Sequence, residues 1–258
     1  MNKRLLIATA LLFLVIDCAL YTVKLSHGKP KIIHKAKPNY KYSIFFTSDD
    51  GPLVGSKNLN QLVLDYEFPL TLFLVGKPMS ENSHLKPYYS NYKKNPYILI
   101  GNHSFCHAGF HYKKYYKDSS GVVDDFIKNR DYLELNSSLA RLPGRNNWYL
   151  NGSRYKGESN NSLAAAQKLY KQLGYKSFGW DYELHANSKG KIILTALKHY
   201  KRIKKILKEH KTYSSNEIII LMHDQLFRNS KNAKTLGELI LLFEEDEECK
   251  LKLLNQYN

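Results

Sequence analysis

The chain has 258 residues, which suits one fairly large domain with a sizeable hydrophobic core. Hydrophobic residues make up 43% of it and aromatic residues 13%, which excludes a disordered chain. The formal charge of +16 suits nucleic acid, anionic lipid or anionic glycan as a partner. No nucleic-acid-binding motif is present, so we expect no nucleic acid partner.

The first 28 residues have the features of an export signal or a membrane anchor. Two basic residues precede the apolar stretch from Leu5 to Val23. This stretch is long for a signal-peptide core and just long enough to span a bilayer as a helix. We expect a hydrophobic signal or anchor helix in residues 1–28, a basic linker in residues 29–41 and one folded domain in residues 42–258. The domain would then be exported, either periplasmic or anchored to the cytoplasmic membrane.

Short apolar runs alternate with helical patterns along the rest of the chain. The runs are apolar on both faces, which is typical of parallel strands covered by helices in an open sheet or a barrel. Strands are expected at 44–48, 70–75, 97–100, 139–143, 177–182 and 217–222. Helices are expected from Ser56 to Tyr66, at 85–94 and 122–135, from Ser162 to Gly174, and at 192–210 and 233–254.

Reactive side chains come directly after these strands. Because the carboxyl ends of parallel strands share one edge, we expect the reactive side chains to meet in one pocket there. They are Asp49, Asp50, His103, His107, Arg141, Asp181, Glu183, His223 and Asp224.

Two histidines with a spacing of four residues, His103 and His107, are candidate metal ligands. In a helical turn this spacing places both imidazoles on one side, although such pairs are more often ordinary surface residues. A carboxylate from a neighbouring strand end would complete a site with three protein ligands and open positions, as in catalytic metal centres. Zinc, cobalt, nickel and manganese all suit such ligands.

Four motifs, in order, resemble those of the NodB-type polysaccharide deacetylases, carbohydrate esterase family 4. Residues 47–52 (Thr-Ser-Asp-Asp-Gly-Pro) resemble TFDDGP, and residues 103–107 match H-[ST]-x-x-H. Residues 141–143 match R-x-P, and residues 221–223 match L-x-H. The ordered set is far more specific than any single motif.

The resemblance implies an α/β fold, a distorted (β/α) barrel of about seven strands known as the NodB homology fold. It also implies hydrolysis of N-acetyl groups on sugars with one divalent metal ion, zinc first, with cobalt, nickel or manganese as alternatives. The implied roles are Asp49 as general base, Asp50, His103 and His107 as metal ligands, Arg141 as the residue that holds Asp49, and His223 as general acid. Hydrolysis of O-acetyl esters at the same site and a catalytically inactive glycan-binding homologue are the alternatives.

The sequence departs from the family pattern in three places. Ser48 replaces the usual Phe, and the fourth motif, D-x-x-D-W, is absent in that form. Residues 178–183 stand in its place, so that Asp181 or Glu183 would support the acidic histidine. Gly144 stands where an aromatic residue often lies.

The loop after Arg141 supplies the other candidate substrate contacts. Arg145 could clamp a phosphate group and Trp148 could stack on a sugar. The expected substrate is an N-acetylated glycan of the cell envelope: peptidoglycan, lipopolysaccharide or a lipid-linked sugar, with the basic charge favouring an anionic one. The full set of expected substrate-binding residues is Pro143, Gly144, Arg145, Trp148 and Trp180.

Overall fold

The computed structural model of the protein describes residues 39–258. The expected signal or anchor helix and most of the expected linker lie outside the described residues. Within residues 39–258, no helix combines the length and the apolar character that a bilayer crossing needs.

One mixed sheet forms the centre of the described domain. Its strands are β1 Tyr42–Asp49, β2 Leu70–Leu74, β3 Ile98–Asn102, β4 Leu139–Ala140, β5 Trp148–Tyr149, β6 Tyr155–Lys156, β7 Lys176–Ser177, β8 Tyr182–Glu183, β9 Glu217–His223 and β10 Cys249–Leu251. Their order in the sheet is β6-β5-β7-β4-β3-β2-β1-β9-β8, and β10 pairs with the first half of β1.

The run from β7 through β1 to β8 contains seven strands, and all its pairings are parallel. Strand β5 pairs antiparallel with β7, and β6 pairs antiparallel with β5 to form a hairpin at this end of the sheet. Among the described residues no pairing joins β6 to β8, so the sheet is a curled half-barrel that does not close. The expected seven-strand parallel arrangement is therefore confirmed, whereas a closed barrel is not.

Helices connect the strands. The C-terminal end of helix α6, Asn160–Leu173, is as expected, because Gly174 adopts the left-handed conformation (φ 71°) that stops a helix. The N-terminal end differs from the prediction, in which Ser162 was the cap. The N-cap is Ser159, whose side chain accepts a hydrogen bond from the backbone N–H of Ser162. The helices are α1 Ser56–Tyr66, α2 Lys77–Glu81, α3 Lys86–Lys94, α4 Tyr112–Tyr115, α5 Ser119–Leu133, α6 Asn160–Leu173, α7 Ala196–Lys208 and α8 Ser230–Glu245.

Two predicted elements are wrong. The last helix ends at Glu245 instead of continuing to residue 254, and the chain turns there to add β10 beside β1. Lys204 fixes this turn, with its ammonium 2.6 Å from Asp246 and 2.8 Å from Glu248. The predicted strand 177–182 is divided in two because the carbonyls of residues 178 and 179 turn to the buried guanidinium of Arg141.

Strand β1 is buried along its whole length, so both of its faces are covered. Phe46 belongs to the large core between the sheet and the helices, whereas Phe45 packs in a smaller core on the other face. Side chains alternate along a strand, so Thr47 and Asp49 share the face of Phe45, and Ser48 points to the helix side. This alternation determines which residues of the Thr-Ser-Asp-Asp segment reach the pocket.

Candidate active site

The adjacent carboxylates of Asp49 and Asp50 reach the same pocket because the backbone turns sharply between the two residues. Asp49 is the last residue of β1, and Asp50 adopts a left-handed conformation with φ 73°. On a continuous strand the two side chains would point to opposite faces. With this turn both line one cavity of about 330 Å³, together with His103, His107 and His223.

Three ligand atoms converge at this cavity. One oxygen or nitrogen atom each from Asp50, His103 and His107 lie within 4.8 Å of one another. Asp50 Oδ1 is 3.1 Å from His107 Nε2 and 3.5 Å from His103 Nε2. His103 Nδ1 donates a hydrogen bond of 2.8 Å to the Arg141 carbonyl, which leaves the Nε2 lone pair facing the carboxylate.

The chemistry of these donors fits a divalent cation. Asp50 Oδ1 is buried and accepts no hydrogen bond from residues 39–258, and an unpaired buried acceptor of this kind is costly. Burial raises the pKa of Asp50, but the two imidazoles outweigh it and hold the pKa far below its usual range. Burial lowers the pKa of His103, but the charges of Asp49 and Asp50 raise it overall. The site therefore favours positive charge, and a metal ion would supply it.

The loop that carries the two histidines is not the helical turn that their spacing suggested. Ser104 and His107 both have positive φ, 66° and 51°. The Asn102 side chain accepts a hydrogen bond from the Ser104 N–H (3.0 Å), and the Ser104 hydroxyl accepts one from the His107 N–H (3.1 Å). These side-chain hydrogen bonds hold the loop, and the two imidazole centroids lie 5.1 Å apart.

Arg141 is fully buried and holds Asp49 in place. Its Nη1 donates to Asp49 Oδ1 at 2.9 Å and to the Thr47 hydroxyl at 2.8 Å. Its other nitrogens donate to the carbonyls of Phe178 and Gly179 at 3.0 and 2.8 Å. Asp49 Oδ1 is thus occupied, whereas Oδ2 lies 3.6 Å from His103 Nε2, on the side of the ligand cluster.

His223 is beside Asp49 because β1 and β9 pair in parallel with these two residues in register. Glu183 faces it, with Oε1 4.0 Å from His223 Nδ1, an ion-pair contact and not a hydrogen bond. Asp181 does not face it, because its two oxygens accept hydrogen bonds from the backbone N–H groups of Tyr213 and Ile219. Burial raises the pKa of Asp181 to about 6. Of the two candidate acids, Glu183 is the one placed to act on His223.

The expected substrate-binding residues lie in different environments. Gly144 and Trp180 line the cavity that also contains Asp50, His103 and His107. Pro143 is buried behind it and uses its carbonyl to accept a hydrogen bond from the Tyr116 hydroxyl at 2.7 Å. Arg145 lies over the ring of Tyr112 (5.4 Å) and lines a neighbouring cavity.

Trp148 is not placed to stack on a sugar. It is 2% exposed, and its ring stacks on Tyr213 at a centroid distance of 4.2 Å. The indole N–H donates to the Asn146 side chain at 3.0 Å. The expectation of a substrate contact at Trp148 is wrong, because β5 carries this residue into the core.

Three pocket residues escaped the sequence analysis: Phe110, Tyr112 and Glu158. Phe110 is 79% exposed, and its ring centroid lies 5.5 Å from that of His107. Its position three residues after His107 was a usable signal, because an exposed aromatic ring beside a sugar site is a candidate stacking face. Glu158 is distant from every motif along the chain and gave no such signal.

Asp224 was expected in the pocket with the other reactive side chains, but it is buried beneath the pocket, where it gives Ser48 a role. Asp224 directly follows His223 and accepts hydrogen bonds from the hydroxyls of Ser48 (3.1 Å), Ser56 and Tyr92 (3.0 Å). Burial raises the pKa of Asp224 to about 6. These contacts join the helix side of β1 to the end of β9, so the departure at Ser48 faces away from the metal-ligand cluster.

No protein-family model matches the sequence, and no curated protein does. Solved structures match its fold. The catalytic domain of a peptidoglycan N-acetylglucosamine deacetylase from Eubacterium rectale matches with a TM-score of 0.61 at 16% identity, over 88% of this chain and 94% of its own. A CE4 esterase from Streptococcus mutans matches with a TM-score of 0.61 at 18% identity, over 83% and 87%.

A CE4 family pseudoenzyme from Bacillus anthracis also matches, with a TM-score of 0.57 at 14% identity, over 87% of this chain and 67% of its own. The chain therefore has the fold of the carbohydrate esterase family 4 polysaccharide deacetylases. The resemblance that its motifs indicated is confirmed at this level. Since one of the matching proteins is named a pseudoenzyme, the activity has to be argued from the site.

Proposed function

We propose that this protein is a metal-dependent deacetylase that hydrolyses the N-acetyl group of an amino sugar in a cell-envelope glycan. One observation carries the proposal: the Asp50, His103 and His107 ligand atoms converge beside a carboxylate, Asp49, that Arg141 holds in place. The proposed ion is zinc, although cobalt, nickel and manganese suit the same ligands. A site that only bound sugars would have no need of an oriented, buried carboxylate at this position.

Asp50, His103 and His107 would hold the ion. The chemistry that such a cation supplies is that of a Lewis acid, which lowers the pKa of water and stabilises an oxyanion. Asp49 accepts the proton of the attacking water through Oδ2, because Arg141 occupies Oδ1.

Breaking the C–N bond requires a proton on the leaving amine. His223 supplies it from the neighbouring strand end, where Glu183 Oε1 lies 4.0 Å from the His223 Nδ1. The attacking water forms a new C–O bond to the acetyl carbon, and the C–N bond to the sugar breaks. The products are acetate and a sugar with a free amine. Trp180, Gly144 and the exposed ring of Phe110 line the space that the sugar would occupy.

The proposal extends to location and partners. The apolar segment in residues 1–28 and the basic composition support export to the periplasm or attachment to the cytoplasmic membrane, with peptidoglycan, lipopolysaccharide or a lipid-linked sugar as the glycan. Fractionation of cells expressing the full chain tests this directly. Recovery with the soluble cytoplasmic proteins would contradict it.

Acetate release tests the activity. Purified protein is incubated with N-acetylated chito-oligosaccharides and with O-acetylated oligosaccharides, with and without a chelator. We expect acetate from the N-acetylated substrate, loss of activity with chelator and recovery when a divalent ion is restored. Faster release from O-acetyl esters would favour the esterase alternative, and no release from either would favour an inactive glycan-binding protein.

The variant Asp49→Asn tests the assigned base, because it keeps the size of the side chain and removes its basicity. Turnover should fall by about 10²–10⁴-fold, the usual contribution of a general base. The matched control is His111→Ala, since this exposed histidine lies near the loop but does not line the catalytic pocket. Normal turnover by Asp49→Asn would show that another group accepts the proton.

A further inference from the structure

A second cavity, of about 460 Å³, adjoins the catalytic pocket on the side of helix α4. Phe110 and Tyr112 line both cavities, so a ligand in the catalytic pocket can extend into this one. Its lining also includes Lys113 and Lys114 of α4 and Arg145 of the loop between β4 and β5. The proposed deacetylation step uses none of these three residues.

The second cavity is a basic cavity. Of the described residues, three Lys or Arg side chains and no Asp or Glu line it. Within residues 39–258 no carboxylate lies within ion-pair distance of Lys113, Lys114 or Arg145. The carboxylates lie in the catalytic pocket instead, on Asp49, Asp50, Glu158 and Glu183. A negative group on a bound glycan is therefore favoured in the basic cavity.

Arg145 is held in place with most of its donors free. Its guanidinium carbon lies 5.4 Å from the ring centroid of Tyr112 and 5.7 Å from that of Tyr116. The Tyr116 ring is fixed in turn, since its hydroxyl donates to the Pro143 carbonyl at 2.7 Å. Arg145 Nη1 donates to the Gly144 carbonyl at 2.8 Å, and in the described part of the chain nothing accepts from the other two guanidinium nitrogens. An arginine ordered by aromatic rings loses little freedom when an oxyanion binds its remaining donors.

Phe110 lies at the boundary between the two cavities. It is 79% exposed, and its ring centroid is 5.5 Å from that of His107, a proposed metal ligand. An exposed aromatic ring presents a flat apolar face on which a sugar can stack. A glycan that extends from the metal ligands into the basic cavity passes this ring.

We propose that the basic cavity binds an anionic group, a phosphate ester or a carboxylate, carried by the sugar next to the one that is deacetylated. Arg145 binds the anion through its free N–H groups by charge-assisted hydrogen bonds, and Lys113 and Lys114 add electrostatic attraction. The N-acetyl group lies in the catalytic pocket and the anion on the other side of Phe110. The proposal rests on the proposed deacetylase function, and it defines the substrate as an acidic glycan with its charge on the neighbouring sugar.

Binding is tested apart from turnover, with the charge confined to the neighbouring sugar. Three disaccharides of N-acetylglucosamine and glucose, each in both linkage orders, are titrated by calorimetry into zinc-loaded Asp49→Asn protein. The glucose is unmodified, carries a phosphate ester or is oxidised to the uronic acid. At least one acidic disaccharide should bind about tenfold or more tightly than the neutral one, and the two acidic arms identify the preferred anion. Equal affinities for all three would overturn the subsite.

The variant Arg145→Gln separates the basic cavity from other sources of an anion preference. It should reduce the ratio of acidic to neutral affinity by about tenfold, whereas Arg228→Gln, the same change at an exposed arginine that lines neither cavity, should leave the ratio as it is. Lys113→Gln should reduce the ratio by about two- to threefold, because solvent and salt screen its exposed charge. A preference that survives Arg145→Gln would come from the metal ion or from the overall charge, and it would overturn the subsite.

Glycerol phosphate, the soluble part of an anionic lipid headgroup, distinguishes a glycan from a lipid. It should bind about tenfold or more weakly than the preferred acidic disaccharide, because it lacks the sugar that stacks on Phe110. Equal affinity would show that the cavity takes the anion alone, and it would overturn the assignment to a glycan.

Failure of the subsite is distinguishable from failure of the deacetylase function. A preference that Arg145→Gln removes, without acetate release from any substrate, would overturn the deacetylase function alone. Acetate release with no preference for the acidic disaccharides would overturn the subsite alone.

Discussion

Removing Arg141 should leave Asp49 as an unpaired buried charge. Asp49 is 3% exposed, and Arg141, which is completely buried, lies 2.9 Å from it. Loss of one partner of a buried ion pair costs about 3–5 kcal/mol of unfolding free energy, because the other charge stays without compensation. For a domain of this size, 1 kcal/mol changes the Tm by roughly 2–4 °C, so Arg141→Met should lower the Tm by about 6–20 °C.

The assay is thermal unfolding followed by circular dichroism, in the presence of a chelator so that metal binding does not contribute. The matched control is Arg145→Met, since within residues 39–258 the side chain of this partly exposed arginine makes only ring contacts and a local hydrogen bond to the Gly144 carbonyl. Its unfolding free energy should change by about 0.5 kcal/mol or less.

The double variant Arg141→Met with Asp49→Asn isolates the cause. Because it removes the unpaired charge, it should be more stable than Arg141→Met alone, with a coupling energy of about 0.5–3 kcal/mol. If the double variant were no more stable than the single one, the loss would come from packing and from the freed carbonyls of Phe178 and Gly179. The proposed role of the Arg141–Asp49 pair would then be wrong.

Two further predictions concern stability. Burial raises the pKa of Asp246, but Lys204 and other hydrogen bonds outweigh it and lower the value from 3.8 to about 2. Because the folded pKa is the lower one, this carboxylate stabilises the fold above pH ~4 by about 2 kcal/mol, and the stability is lost as the pH falls towards 2. Acid unfolding of Asp246→Asn should lack this pH dependence, whereas the exposed Glu247→Gln should keep it; identical profiles would contradict the assignment. Gly144 has φ 60°, and an added Cβ would lie 2.6 Å from the Tyr112 ring, so Gly144→Ala should destabilise the fold by about 1 kcal/mol or more in urea unfolding. An unchanged urea midpoint would show that the loop adapts without strain.

The convergence of the site was predictable because it depends on topology. Parallel strands place their carboxyl ends at one edge, so Asp49, His103, Arg141 and His223 had to come near one another once the strand pattern was right. Short apolar runs and intervening helices give that pattern locally.

The features that the sequence did not predict depend on contacts between distant segments. Strand β10 has three residues and forms because β1 offers it an edge, a pairing that no local periodicity signals. The burial of Trp148 requires the ring of Tyr213, a residue far along the chain. Likewise, the choice of Glu183 over Asp181 depends on which backbone N–H groups Asp181 meets in the fold.

The conformation of the His103–His107 loop is a further case. Its residue spacing suggested a helical turn, but hydrogen bonds through Asn102 and Ser104 select left-handed backbone conformations. The two imidazoles meet in either geometry. The two side chains therefore lie side by side as the spacing predicted, although the backbone that supports them was wrongly predicted.

Anomalous diffraction from crystals of the zinc-loaded protein tests the central claim most directly. A peak is expected about 2.0–2.2 Å from an Asp50 carboxylate oxygen and from Nε2 of His103 and His107, at one position for the three ligands. The same experiment on His103→Ala should show a weaker peak or none, and His111→Ala should retain it. A strong zinc peak elsewhere, with none among these three side chains, would contradict the metal site and the mechanism that depends on it.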